Sequence, residues 1–218
     1  MVTRDLVENV IAVSGLWDEG RRNSHGFLLS PDVYEITKTQ AQELEDLGQA
    51  LYECLSGLGR IAAICADPRL TKGKVWGAIT KMLHMDIPVL YQEVHALNPS
   101  RVPAVCKVDF MVGSDGRFHI AEIDAHNKHG LGYSTLGARL RRAVRPLAAA
   151  FPGVAKALAN ELGRRNRSCV TLLYADQERF YLPEFRIFRD ELAKHDVKMN
   201  VISEVEVKDP GKLGDRIF

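Results

Sequence analysis

Between Cys169 and Ile202 the chain runs apolar, then helical, then apolar again, and this order restricts the fold more than any other feature. Cys169 to Ala175 reads as a strand, Leu182 to Lys194 as a helix and Lys198 to Ile202 as a second strand. Two strands joined by a helix of this length lie parallel, because a tight turn cannot return the chain in the same direction. A βαβ unit of this kind predicts an α/β protein with a Rossmann-like layer. It carries no GxGxxG fingerprint, so it gives no reason to expect a dinucleotide site.

The clearest β signal lies upstream, from Ala104 to Asp124, folded about Gly113-Ser114-Asp115-Gly116. With a two- or four-residue loop, opposed residues sum to 229, so Lys107 faces Glu122, Asp109 faces Ile120 and Val105 faces Asp124. Opposed residues share a face and neighbours along a strand alternate. One face then carries Lys107, Asp109, Glu122 and Asp124. A three- or five-residue loop shifts the parity and scatters them. Three carboxylates this close repel one another unless a cation sits among them, and hard oxygen donors suit Mg²⁺. Two roles are open for Lys107, holding a phosphate or pairing with Glu122. The alternative is a solvated face with ordinary cross-strand ion pairs.

Lys107-Val108-Asp109, then Gly116, then Glu122-Ile123-Asp124 and Gly130-Leu131-Gly132, resembles the metal-site hairpin of glutathionylspermidine synthase-like proteins. These are ligases of the ATP-grasp superfamily with a circularly permuted order. Their pattern is Arg-x-Asp, a turn with Gly, Glu-x-Asn and a loop with Gly. The resemblance covers Val102 to Phe218 and implies a pre-ATP-grasp-like βαβ layer. It implies Mg²⁺ held by Asp109, Glu122 and Asp124, and ATP phosphate contacted by Lys107 as the catalytic cation. It also implies ATP-dependent joining of a small-molecule or peptide carboxylate to an amine through an acyl-phosphate. Two substitutions change the charge chemistry: Lys for Arg replaces a bidentate fork by a point charge, and Asp for Asn adds a negative charge. The family's Asn-x-Asp-Thr-Pro run is replaced by Asp124-Ala125-His126-Asn127-Lys128-His129, which leaves both substrates unidentified. The family's nucleotide-gripping lysines lie further downstream. The chain is therefore expected to be the N-terminal portion of a longer ATP-grasp-like protein.

The Gly-rich loop His129-Gly130-Leu131-Gly132-Tyr133, opening a helix at Thr135, offers a helix N-terminus to an anion. Gly130, Gly132, Tyr133, Ser134 and the neighbouring His126 are the candidate carboxylate-substrate residues. His126 and His129 are also candidate ligands of a transition metal. Upstream the chain reads as a helical region to about residue 100, ahead of the hairpin and βαβ layer over 101–218. Ser30 and Pro31 mark the start of a long amphipathic helix carrying Ile36, Leu44, Leu47, Leu51, Leu55 and Leu58, with Gly57 and Gly59 at its end. Helices are expected near Lys74–Leu83 and Val89–Leu97, and between Thr135 and Leu162 with a break at Phe151-Pro152-Gly153.

Lys+Arg 29 against Asp+Glu 28 removes the global argument for nucleic-acid or membrane partners. The basic stretch Arg139 to Arg167 lacks interleaved aromatics and reads as a solvated face. No apolar run nears the ~18 residues of a membrane span. Asp5 and Glu8 stand where a secretory leader wants basic residues, so a cytoplasmic protein is expected. Cys54, Cys65, Cys106 and Cys169 are scattered and read as reduced core residues. The competing functional classes are a non-catalytic binding or scaffold module and a divalent-metal hydrolase.

Overall fold

Helix and strand are both present in the computed structural model, which describes residues 4–16, 34–66, 74–83, 105–124, 129–144 and 153–208, with isolated positions at 69, 85, 87–89, 92–93 and 103. The elements form two compact units.

One unit holds two helices. Helix α2 (Lys38–Ala66) is capped by Thr37, and the expected start at Ser30 and Pro31 lies outside the described residues. Thr37 Oγ1 accepts from the Gln40 N–H at 3.1 Å and Gln40 Oε1 accepts from the Thr37 N–H at 2.9 Å, a reciprocal capping box. The helix runs on through Gly57 and Gly59. Each glycine costs it about 1 kcal/mol, but Leu58, Ile61, Ala62 and Cys65 extend the apolar stripe beyond them. Helix α3 (Lys74–Leu83) follows the sequence expectation and meets α2 where the Thr80 hydroxyl donates to the Cys65 carbonyl at 3.3 Å. Cys65 is buried, whereas Cys54 is exposed and Cys106 and Cys169 are half-buried, so the sulfurs are not a common core set.

The other unit begins with α1 (Arg4–Ser14), in which Leu6, Val7, Val10 and Ile11 recur at helical spacing. Val7, Ile11 and Leu16 pack with Leu136 and Ile187, so this helix joins elements more than a hundred residues downstream. The hairpin of β1 (Lys107–Val112) and β2 (Phe118–Asp124) follows. Then come α4 (Leu131–Val144), α5 (Val154–Arg164), β3 (Cys169–Tyr174), a 3₁₀ segment (Asp176–Tyr181), α6 (Leu182–Ala193), β4 (Lys198–Ser203) and a 3₁₀ turn (Glu204–Glu206). Strands β3 and β4 pair parallel, with Cys169 opposite Lys198 and Tyr174 opposite Ser203. The expected βαβ connection is thus present, with α6 as its crossover. Val170 and Met199 on the strands, Leu158 and Leu162 on α5, and Phe188 and Leu192 on α6 form its core, against which Val105 also packs.

Helices α5 and α6 both end without glycine. Asn166 and Asp196 take the left-handed conformation, and the Arg167 and Val197 amides close back onto the Leu162 and Leu192 carbonyls. These are Schellman closures, and the second delivers Val197 into the core.

Two buried carboxylates, Glu184 and Glu191, face α4 from α6. Glu191 Oε2 accepts from Arg139 Nη2 at 2.6 Å, Arg139 Nε at 3.0 Å and Lys194 Nζ at 2.8 Å. Burial raises the Glu191 pKa, but the hydrogen bonds from Lys194 and Arg139 and their charges outweigh it and leave the carboxyl below its ordinary 4.5. A depressed carboxyl stabilises the fold above its unfolded value, and that stability is lost as pH falls through the folded one. Glu191→Gln is therefore expected to cost about 1–3 kcal/mol at pH 7. Paired urea unfolding curves should show the gap between wild type and variant closing below pH 4.5.

Candidate functional site

The hairpin turn has three residues, Ser114, Asp115 and Gly116. Gly113 N–H donates to the Arg117 carbonyl at 2.9 Å, and Gly116 N–H donates to the Gly113 carbonyl at 2.9 Å. Gly116 has φ +76°, the left-handed position that completes a three-residue loop. Near the turn opposed residues therefore sum to 230, not 229: Val112 faces Phe118 and Phe110 faces Ile120. By parity alone this loop separates Glu122 and Asp124 from Lys107 and Asp109.

A β-bulge reverses the effect. Between Asp109 and Phe110 the register shifts, leaving Ala121 without an opposite number, so that Asp109 faces Glu122 and Lys107 faces Asp124. The expected pairs Lys107–Glu122, Asp109–Ile120 and Val105–Asp124 are thus each replaced. The four charges nonetheless share one face, because two single-residue shifts cancel in a period-two pattern. The bulge also sorts the rest of the hairpin. Val108, Phe110, Val112, Phe118, Ile120 and Ile123 fall on the opposite face, and the Phe110 and Phe118 rings meet edge-on at 5.8 Å. That apolar face is largely exposed, Phe110 at 37% and Val112 at 47%.

On the charged face Lys107 Nζ lies 2.7 Å from Asp124 Oδ2 and 3.6 Å from Asp109 Oδ2. The Asp124 side chain is the most covered of the three at 14% exposure, and Asp109 the more open at 51%. The Cys106 thiol reaches the Asp124 carbonyl at 3.5 Å, tying the two strand ends together. The hydrogen bond to Asp124 raises the Lys107 pKa; burial lowers it, and the charges of Asp124, Asp109 and Glu122 raise it further, for a net rise above 10.5. Among the described residues no three Asp, Glu, His or Cys side chains converge as a metal shell. The cation among the carboxylates in this conformation is the lysine ammonium. Asp109, Glu122 and Asp124 place oxygen donors on one side of one hairpin without converging on a common point.

The Gly-rich loop is built differently from the expectation. Helix α4 starts at Leu131, not Thr135, with Gly130 at φ +91° before it. Its N-terminal amides already hold a carboxylate: Glu184 Oε1 accepts from the Gly130 N–H at 2.6 Å and the Leu131 N–H at 3.2 Å. The anion at this helix end is thus the protein's own. Gly132 is explained by close approach. A Cβ there would sit 2.5 Å from Glu184 Cγ, 2.8 Å from its Cα and 2.9 Å from its carbonyl oxygen. Tyr133 is half-buried against the α1 cluster and Ser134 is exposed within the first turn. His126 lies outside the described residues.

His129 occupies a defined place. Its ring stacks on Tyr181 at 3.7 Å between centroids, and Nε2 lies 3.5 Å from Glu178 Oε1. Glu178, Tyr181 and Glu184 have no motif that joins them to residues 129–132, some fifty positions earlier, so sequence reading passes over them. Of the basic stretch, Arg139 pairs with Glu191, and Arg164 and Arg165 pair with Glu161. No helix among the described residues is long and apolar enough to cross a membrane.

No protein-family model matches this chain, and no curated protein matches it. The family resemblance rests on the hairpin motif and the βαβ order alone.

Deleting Ala121 removes the bulge but leaves Glu122 opposite Asp109 and Asp124 opposite Lys107 in a regular ladder, so the charged face should persist. Zero-length carbodiimide coupling read by mass spectrometry is expected to join Lys107 to Asp124 in the wild type and in the deletion alike. A link lost from the deletion, in a variant whose circular dichroism is unchanged, means that this cross-strand register does not set the face. Gly132→Ala is expected to destabilise by about 1–3 kcal/mol in urea unfolding, because the new methyl meets backbone as well as a side chain.

Proposed function

We propose that the charged face of the hairpin is the cation- and phosphate-handling part of an ATP- and Mg²⁺-dependent carboxylate–amine ligase working through an acyl-phosphate. The observation that carries this reading is the bulge-dependent gathering of Lys107, Asp109, Glu122 and Asp124 on one face. In the same reading the βαβ unit is a Rossmann-like, pre-ATP-grasp-like layer, and the protein is cytoplasmic with no nucleic-acid or membrane partner.

Bound Mg²⁺ would neutralise phosphate charge. Asp124, sheltered and tied to Lys107 across the strands, would be one ligand, and Asp109 and Glu122, more open to solvent, would be the others. Lys107 offers a point charge to a phosphate oxygen without the geometric demand of a guanidinium fork. Holding reactants and offsetting charge is the main work of a protein in phosphoryl transfer, and this face supplies groups of that kind. His129, stacked on Tyr181 with Nε2 3.5 Å from Glu178, stands five residues beyond Asp124, just ahead of the helix start that Glu184 closes.

A second reading, a non-catalytic binding module, is favoured by the exposed apolar face of the same hairpin, since contiguous exposed apolar surface marks interaction sites. A divalent-metal hydrolase is the third, and it predicts phosphate release without an amine acceptor.

Glu122→Gln separates the first two. In the ligase reading, Mg²⁺-dependent ATP binding followed by calorimetry is expected to fall at least tenfold in this variant. Nucleotide binding that Glu122→Gln leaves unchanged removes the metal face from the function.

A further inference from the structure

We infer that His129 is a proton-dependent pin, which holds the start of α4 on the 3₁₀ segment when its imidazole is charged and loosens it when neutral. The inference is independent of the ligase reading and concerns the seam between α4 and the βαβ crossover.

Three contacts of different kinds join residues 129–131 to residues 178–184. The His129 ring stacks on Tyr181 at 3.7 Å between centroids, with 29° between the planes. Its Nε2 lies 3.5 Å from Glu178 Oε1. Glu184 Oε1 accepts from the Gly130 and Leu131 N–H groups at 2.6 Å and 3.2 Å. Of the groups in these contacts, the imidazole is the one that ordinarily changes charge between about pH 5 and 8.

The distance makes the Glu178 contact depend on that charge. At 3.5 Å a neutral N–H gives a poor hydrogen bond, since good ones lie near ~2.7–3.2 Å. Attraction between whole charges falls only as the inverse of distance, so an imidazolium in the same place keeps most of its ion pair. Both side chains are sheltered, His129 at 18% exposure and Glu178 at 29%, which limits screening. The Tyr181 face adds a cation–π attraction, again only to the charged ring. The other charged groups of the packed elements do not oppose this. Glu184 on α6 adds a second carboxylate at the two following amides, and Arg179 on the 3₁₀ segment is turned to Asp176 at 3.8 Å.

The two sides differ in their freedom to move. Tyr181 also meets Phe180 at 4.1 Å and Phe185 at 6.3 Å, and Phe185 is buried. His129 is followed by Gly130 at φ +91°, a residue that accepts many backbone conformations. The platform is therefore fixed and the histidine moves. Without the pin, the Glu184 hydrogen bonds remain as the tie, and the amides they hold open more often. A histidine that gains an anionic partner on folding stabilises in acid, and that contribution is lost as pH rises. The sign is opposite to that of Glu191, whose carboxyl lies below 4.5 and whose contribution is lost in acid.

Amide hydrogen exchange of the full chain at about pH 5.5 and about pH 8, corrected for intrinsic rates, reads the pin at the Gly130 and Leu131 amides. Glu191 titrates below this window and does not disturb it. The wild type is expected to show roughly two- to fivefold more protection at the lower pH, the range of a partly exposed ion pair. His129→Gln and Glu178→Gln are each expected to abolish that difference, whereas His195→Gln, beyond the C-terminal end of α6, keeps it. Equal protection of the wild type at both pH values overturns the inference. So does a pH difference that survives in Glu178→Gln, because another group is then the sensor. If His129→Gln does not fold, judged by circular dichroism, the wild type and Glu178→Gln decide the question by themselves.

Discussion

Two buried carboxylates seven residues apart on α6 organise the larger unit. Glu184 takes the amides that open α4, and Glu191 takes the Arg139 guanidinium two turns further along. Gly132 meets the first and Arg139 the second, also seven residues apart, so the two helices run in the same direction. Burying a carboxylate is costly unless it is hydrogen-bonded; Glu184 Oε1 accepts from the Gly130 and Leu131 amides and Glu191 Oε2 accepts twice from Arg139. Once this pairing is made, the other faces of α6 are committed. Phe188 and Leu192 enter the βαβ core, Ile187 joins the α1 cluster, and Phe185 approaches Tyr174 and Tyr181. The loop expected to receive a substrate anion is consequently a helix start closed by the protein itself.

The hairpin depends on a different constraint, the strict period of two. A three-residue turn and a one-residue bulge each change the parity, and together they restore it. The result is a ribbon with charges on one side and six apolar side chains on the other. A bulge is thus a device for sorting side chains, and in this chain it sits beside the residues that carry the proposed chemistry. The apolar side, still exposed, is the surface that a further element or partner would cover.

The charged face also shows how a family-like pattern can be read at two levels. The residue types and spacings, Lys-x-Asp and Glu-x-Asp, resemble those of a family's cation site. The distances show an ammonium among the carboxylates.

What the sequence determined by itself was local. The strand–helix–strand order fixed a parallel pair, because chain reversal needs a turn and parallel return needs a crossover. Residues 107–124 were legible as a hairpin from alternation and a Gly-bounded turn, and the residues of the charged face were legible as a group. Tertiary structure decided the rest. The pairing partners of Lys107 and Asp109 depend on the omission of Ala121 from the ladder, which no alternation pattern in the sequence announces. The start of α4 depends on Glu184, and the place of α1 depends on Leu136 and Ile187. Helix α2 runs past Gly57 and Gly59 to meet α3 at Cys65. Each of these is settled by contacts between residues distant in the chain, whose energies no local window of sequence contains.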